Sequence, residues 1–436
     1  MISPPLQDTR FRLTEDQATE LASRFGTPLY VVDEKHFRER VRSYLNAFRS
    51  AYPKSEISFA SKANSTGALM KIAYLEGCSI DVASEGELRV ALAAGVPASR
   101  CHLHGNNKSR AELEFAIEQG VAHIVVDHFG EIETIAELSR PGKSPKLVIR
   151  LAPGVDPITH HKISTGQADT KFGFNIADGS AEKATQRCLE LGLNLIGFHC
   201  HVGSQLLDPE AQRSGGELIT QFAVDMLQKH GFKSEYLNVG GGLGIAYTDG
   251  DEPMPVDEYC RLVAQAVTGA LAGSGLDPVL GQEPGRALVG ESGLTLYRVG
   301  VVKTVPAKTI GQRTYVVVDG GLSDNPRPAL YGSKYTVERV SPAAAGPVHR
   351  VTISGRHCET DRLFEDVDLP HDAHVGDLLQ VLCTGAYNSS MASNYNRFQR
   401  PATVLIRESG DFELIQRRES WDEMLSREIL PKDLGG

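Results

Sequence analysis

YLNVGGGLGIAY (residues 236–247) is the stretch whose position decides the fold. A short β-rich run, Tyr236 to Val239, opens onto Gly240, Gly241 and Gly242, with a further glycine at Gly244. In an open doubly wound sheet, the alternative architecture, a glycine cluster of this kind follows the first strand. Here it follows the seventh. Working back toward the N-terminus, β-rich runs occur at LIGFH (195–199), LVIRL (147–151), HIVVD (123–127), CHLHG (101–105), IDVA (80–83) and ISFA (57–60), and one more follows at VLGQE (279–283). Helical stretches separate them, such as SEGELRVALAAG (84–95) and KSRAELEFAIEQG (108–120). In the second, Ser109 and Glu112 have the spacing of a capping box and Gly120 stands as a stop signal. Parallel neighbours need crossover helices, so eight strands alternating with helices predict a (β/α)8 barrel of the TIM type over residues 34–290.

Beyond residue 290 the strands lose their intervening helices: LTLYRVGVVKTV (294–305), TYVVVDGG (314–321), HRVTISG (349–355), DLLQVLC (377–383) and the hairpin TVLIRESGDFELIQR (403–417), turning at Ser409, Gly410 and Asp411. Proline and glycine mark the connections SDNPRPALYGS (323–333) and SPAAAGP (341–347). The expected architecture is therefore α/β, a barrel plus a β-rich C-terminal domain, residues 291–436, which includes the N-terminal segment 1–33 with its helix near Thr14 to Phe25 and the strand LYVVD (29–33).

The 436 residues are 41% hydrophobic and 23% charged, with a net charge of −10. That balance suits a folded enzyme and disfavours nucleic acid or an anionic membrane as partner, since both are bound through basic surface. No signal-like start and no run of membrane-spanning length is found, so the cytoplasm is expected. Seven scattered cysteines without a CxxC pair argue against a disulfide framework and a structural zinc site.

In such a barrel, chemistry gathers at the C-terminal ends of the strands. Those ends carry, in order, Lys62; Asp81 and Ser84; Asn106 and Asn107; Asp127; Arg150; His199 and His201; the glycine run; and Glu283 with Arg286. The glycines can surround a phosphate with backbone N–H groups, or simply make a tight strand-to-helix turn. Lys62 reads as a solvated charge or, between apolar Phe59 and small Ala60, Ser61 and Ala63, as an amine made nucleophilic toward an aldehyde by a partly dry setting. Glu283 reads as a carboxylate for a pyridine nitrogen or as a salt-bridge partner of Arg286. His201 is a core histidine, a ring stacked on a flat cofactor, or half of a metal pair with His199; zinc is disfavoured for want of nearby acidic ligands, and no metal is expected.

Together the motifs FASKAN, DVASEGEL, HGNNKS, RLAPG, KFG, FHCHVGSQ, NVGGGLG, QEPGR, RPALY, HCE and GAYNSSMASNYN, in this order, resemble those of the fold-type III pyridoxal-phosphate decarboxylases, and the likeness runs from TPLYVVDE (27–34) to MASNYN (391–396). The resemblance implies pyridoxal 5′-phosphate as cofactor, with Lys62 as its Schiff-base lysine, His201 stacked on the ring and Glu283 at the ring nitrogen. It implies that Asp81, Ser204, Gly241, Gly242, Gly285, Arg286 and Tyr387 complete the cofactor site. Arg286, Arg327, Tyr331 and Tyr387 would bind substrate, Glu359 would grip its distal amino end, and Cys358 would return a proton; a core cysteine is the other reading of Cys358. The family brings Cys358 and Glu359 from a partner subunit, which implies a homodimer with shared sites. Where the family has G-P-x-C-E-S-x-D this chain has GRHCETDRLFED (355–366), and Phe59 replaces a usual tyrosine. Glu359, two arginines and Tyr331 suit a long substrate charged at both ends, which puts meso-2,6-diaminopimelate, giving L-lysine and carbon dioxide, ahead of D-ornithine, D-lysine, carboxynorspermidine or a carrier-bound amino acid.

Overall fold

The computed structural model describes residues 9–155, 169–308, 310–340, 347–359, 362–370 and 373–434. The chain divides into two compact units, one of residues 37–246 and 250–290, the other of residues 1–36, 247–249 and 291–436.

The first unit is a closed parallel barrel. Its strands are Ser55–Ala60, Ser79–Val82, Cys101–Leu103, His123–Val126, Leu147–Ala152, Leu195–Cys200, Tyr236–Asn238 and Val279–Gln282. Each pairs in parallel with the next, and the eighth returns to the first through Leu280 opposite Ser55 and Gln282 opposite Ile57. The strands are short and nearly all their residues are buried, as expected for a sheet covered on both faces, which is why they read as continuous apolar runs. A two-residue strand, Phe174–Asn175, extends the sheet beside the fifth. The helix Arg110–Gln119 starts as its sequence predicts: Ser109 Oγ accepts from the Glu112 amide at 3.2 Å, Glu112 Oε2 accepts from the Ser109 amide at 2.8 Å, and Gly120 ends the helix with φ of 72°.

The second unit is built on a mixed sheet. Its strand Leu29–Asp33 runs antiparallel to the central Gly293–Ala307 on one side and parallel to Ala402–Ile406 on the other, so the N-terminal segment is integral to this sheet. Gly311–Val318, Val348–Ser354 and Phe364–Pro370 continue outward on one side, Phe412–Gln416 on the other, and Leu378–Val381 bridges Gly293–Ala307 and Val337–Arg339. The hairpin turns at Gly410, whose φ is 91°. Two strands escaped the sequence. Phe364–Pro370 buries only two of its seven side chains and Val337–Arg339 is only three residues long, so neither leaves an apolar run. Of the connection SPAAAGP, residues 341–346 lie outside the described residues.

This unit carries a buried acid with a consequence for stability. Asp324 accepts from the Gly321 amide at 2.8 Å and from the Tyr297 hydroxyl, and burial pushes its carboxyl up to about 7, against 3.8 for an exposed one. Because the folded pKa is raised, Asp324 favours the fold at low pH and that contribution is lost as pH rises from about 4 to about 7. Asp324→Asn keeps an acceptor for Gly321 and cannot ionise. Its melting temperature should therefore fall less than the wild type's over that interval, with the variant the more stable above neutral pH, as thermal unfolding across a pH series will read.

Candidate functional site

The barrel mouth is built from residues at or just beyond the C-terminal ends of the strands. Lys62 sits in a 3-10 turn, Ser61–Ala63, whose two flanking residues are buried while the lysine side chain is 41% exposed. Its Nζ lies 3.2 Å from Oδ2 of Asp81, which is 1% exposed at the end of the second strand. The lysine is thus tied to a buried carboxylate while its side chain stays partly exposed, an arrangement that suits a nucleophile better than a solvated charge.

Glu283, past the eighth strand, is the electrostatic centre. Its Oε1 accepts from Asn238 Nδ2 at 2.8 Å and lies 3.0 Å from His104 Nε2; its Oε2 lies 3.1 Å from His199 Nε2. Burial alone would raise its pKa, but His104 and His199 hold the carboxyl well below the usual range, so it remains an anion. His199 is pushed down to about 4, chiefly by burial and against the pull of Glu283, and so donates as a neutral ring. Arg286 is not its partner: the short helix Arg286–Val289 turns the guanidinium onto Ser204 Oγ, at 3.2 and 3.3 Å. The salt-bridge alternative for Glu283 therefore falls. So does the premise that no acid stands near the histidines, since His199 faces Glu283 directly.

His201 follows the sixth strand. Burial first, then the neighbouring Lys62 and Arg150 cations, hold it well below the ordinary imidazole range, and its Nδ1 accepts from the Gly241 amide at 3.3 Å. A neutral flat ring with its Nδ1 fixed is suited to stacking. Arg150, on the fifth strand, is buried, its guanidinium 4.3 Å from the Phe172 ring and 3.9 Å from Asp127 Oδ2, while Asp127 Oδ1 accepts from the Gly173 amide at 2.9 Å. Of HGNNKS, Asn106 is half-buried and Asn107 exposed; the member that the interior uses is Lys108, whose Nζ meets Glu131 Oε1 at 2.7 Å and the carbonyls of Gly105 and Val125.

The glycine run is required by close approach. A Cβ at Gly241 would come within 2.2 Å of the Glu283 carbonyl oxygen, and one at Gly285 within 2.9 Å of Ala63 Cβ. The seventh and eighth strand ends are thereby drawn against each other and against the Lys62 turn. Gly240 spends its amide on Asn238 Oδ1 at 2.8 Å, and the Gly241 contact to His201 is long for a hydrogen bond. An anion over this rim would meet Gly241 and Gly242, Ser204 and Arg286. These residues fit pyridoxal phosphate: an amine for the aldehyde, a permanent anion for the ring nitrogen, a neutral ring for its face and a cation, hydroxyl and amides for the phosphate.

In the other unit, Arg327 is 5% exposed, and among the described residues its hydrogen bonds go to hydroxyls, Tyr335 at 2.8 Å and Ser333 at 3.3 Å. The rings of Tyr331 and Tyr387 lie 5.2 and 5.4 Å from the guanidinium. A buried cation among neutral groups is a place for a carboxylate. Cys358 is exposed whereas the other six cysteines are buried, which removes the core-cysteine reading. Its amide donates to Asn396 Oδ1 at 3.0 Å, and the next residue, Glu359, accepts from the Tyr395 hydroxyl.

Sequence reasoning missed His104 and Asn238. His104 lay inside CHLHG, where alternation with His102 at a two-residue step was the available signal that both face inward.

Comparison with known proteins agrees with this geometry. Residues 38–290 match the model of the pyridoxal-dependent decarboxylase, pyridoxal binding domain. The chain is 44% identical to diaminopimelate decarboxylase of Bacillus subtilis over 416 residues, covering 94% of this chain and 93% of that one. Among solved structures, diaminopimelate decarboxylase from M. jannaschii in complex with L-lysine superposes with a TM-score of 0.87 at 33% identity, covering 98% of each chain. That from Helicobacter pylori, also complexed with L-lysine, gives 0.84 at 30% identity, covering 94% of this chain and 98% of that one. With its barrel matched throughout and its sequence shared over nearly its whole length, the chain belongs to the pyridoxal-dependent decarboxylases.

Proposed function

We propose that this enzyme removes carbon dioxide from meso-2,6-diaminopimelate to give L-lysine. The observation that carries the reading is the pairing of an anchored, open Lys62 with a carboxylate at Glu283 that cannot easily be protonated. The relatives named diaminopimelate decarboxylase, two of them solved with L-lysine, support the choice of substrate. Pyridoxal phosphate supplies the electron sink that accepts the bonding pair as the carboxylate leaves. The chain's own residues do the rest. Lys62 would hold the cofactor aldehyde through its amine; Glu283 would keep a proton on the ring nitrogen; His201 would cover one face; Ser204, Gly241, Gly242, Gly285 and Arg286 would hold the phosphate, with Asp81 steadying Lys62 and Tyr387 reaching phosphate and substrate.

The same reading assigns residues 34–290 to cofactor binding and residues 1–33 with 291–436 to the β-rich domain that presents Arg327 and Tyr331, with Arg286, to substrate carboxylates. Glu359 takes the distal ammonium, and Cys358, as an exposed thiol, gives the replacing proton. We place these last two in a site shared between the subunits of a homodimer. Seven free cysteines suit a reducing, cytoplasmic setting, and among the described residues no helix is long and apolar enough to cross a membrane.

The deciding test is a substrate panel with product identification. Carbon dioxide and L-lysine from meso-2,6-diaminopimelate are expected; release from D-ornithine, D-lysine, carboxynorspermidine or a carrier-bound amino acid alone would overturn the substrate. Arg327→Gln tests the anion site. Losing a hydrogen-bonded charge on a substrate carboxylate should raise KM about 10- to 100-fold with a smaller change in kcat. An unchanged KM would remove Arg327 from the site.

A further inference from the structure

His104 stands between the two halves of the barrel site. Its Nε2 is 3.0 Å from Glu283 Oε1 and 3.6 Å from Asp81 Oδ1, while Asp81 Oδ2 holds Lys62. Both His104 Nε2 and Asp81 Oδ1 are buried, and neither makes an aligned hydrogen bond within the described residues. One donor thus faces two buried carboxylates, from the second strand and the end of the eighth, which flank the first strand, without being committed to either. The histidine ring is braced by His199, 5.0 Å away at 73°. His104, His199 and Glu283 bring ligand atoms within 4.8 Å of one another, but the two Glu283 oxygens already accept from Asn238 and His199, so the group is a hydrogen-bonded clamp rather than a cation site.

We propose that His104 is a positioning residue that couples the lysine end of the site to Glu283, its Nε2–H being shared between Asp81 and Glu283. The inference rests on the cofactor reading above. When Glu283 satisfies a proton on the ring nitrogen, its demand on His104 falls and the donor swings toward Asp81. Asp81 then holds the Lys62 nitrogen less tightly, which favours exchange of that nitrogen for an incoming amine. The charged and titratable groups around His104 are Lys62, Asp81, Glu283, His199, His123 and Arg150, contributed by six different strand ends or interiors.

The test is the pH titration of the visible absorbance of the Lys62-linked cofactor in the holoenzyme, a readout that a merely structural role would not move. His104→Phe removes the donor and leaves Asp81 to Lys62 alone, so the midpoint should rise by about 1 unit; His104→Gln, which keeps an N–H, should restore it toward the wild type. Glu283→Gln should lower the midpoint in the wild type and have a smaller effect beside His104→Phe. His104→Asn, whose shorter side chain draws its N–H back from both carboxylates, is a second variant should the phenylalanine not be accommodated. Midpoints that do not move in His104→Phe and His104→Asn, or a Glu283→Gln shift of the same size with and without His104, overturn the coupling. A wild-type protein with no such absorbance overturns the cofactor reading itself, a different failure from an unmoved titration.

Discussion

Lys62→Ala is expected to abolish the visible absorbance of bound pyridoxal phosphate and to lower kcat by at least about 1,000-fold, since one amine both anchors the cofactor and moves protons. Among the described residues, the lysine buried at another strand end is already engaged and cannot take its place. Lys108, the buried lysine of the third strand end, is held by Glu131 and by two carbonyls, all within 2.7 Å. The variant should fold, because Ser61 and Ala63 carry the packing of the turn and the lysine side chain is largely open. Asp81 loses its cation but still faces His104. A melting temperature close to the wild type's, together with lost absorbance and lost turnover, is the expected combination. A variant retaining a tenth of the wild-type kcat would remove Lys62 from its role.

The barrel was legible because its strands are covered on both faces. Runs such as LVIRL and LIGFH are apolar at nearly every position, and the crossover helices announce themselves with caps such as Ser109 and Glu112. Lys62, His201 and Glu283 were legible for a related reason: a polar residue directly after a buried apolar strand has few places to go except the mouth. What surrounds Glu283 was not. The nearest cation in sequence is Arg286, but the tight turn through Gly285 sends that side chain to Ser204. The carboxylate is held instead by His104, His199 and Asn238, residues distant along the chain that only ring closure brings together. The mixed sheet was harder to read, since a strand such as Phe364–Pro370 needs only one or two buried side chains and forms by pairing with Val348–Ser354. That Cys358 is exposed while the other six cysteines are buried also has no signature in sequence.

Glu283→Gln preserves the volume of the side chain and should lower kcat about 100- to 1,000-fold, the scale of removing one preorganised electrostatic partner from a buried reacting centre. The wild-type carboxylate offers acceptors on both sides, to Asn238 and His104 on Oε1 and to His199 on Oε2. A glutamine has one oxygen and one NH2. Whichever way it turns, an N–H meets a donor, either the His199 Nε2 or the Asn238 Nδ2 and His104 Nε2. At least one buried donor is left unsatisfied, which costs about 1–3 kcal/mol of stability, enough to lower the melting temperature but not to unfold a chain with two cores. The larger loss is chemical. A neutral amide cannot keep a proton on the ring nitrogen, so the ring no longer accepts the electron pair left by the departing carboxylate. The residues proposed to bind substrate are others, so KM should change little, which separates this variant from Arg327→Gln. The wild-type carboxyl is held well below its usual range, so wild-type activity should show no acidic limb due to Glu283 near the ordinary carboxylate pKa. A Glu283→Gln enzyme with kcat within threefold of the wild type would show that the ring nitrogen is served by another residue.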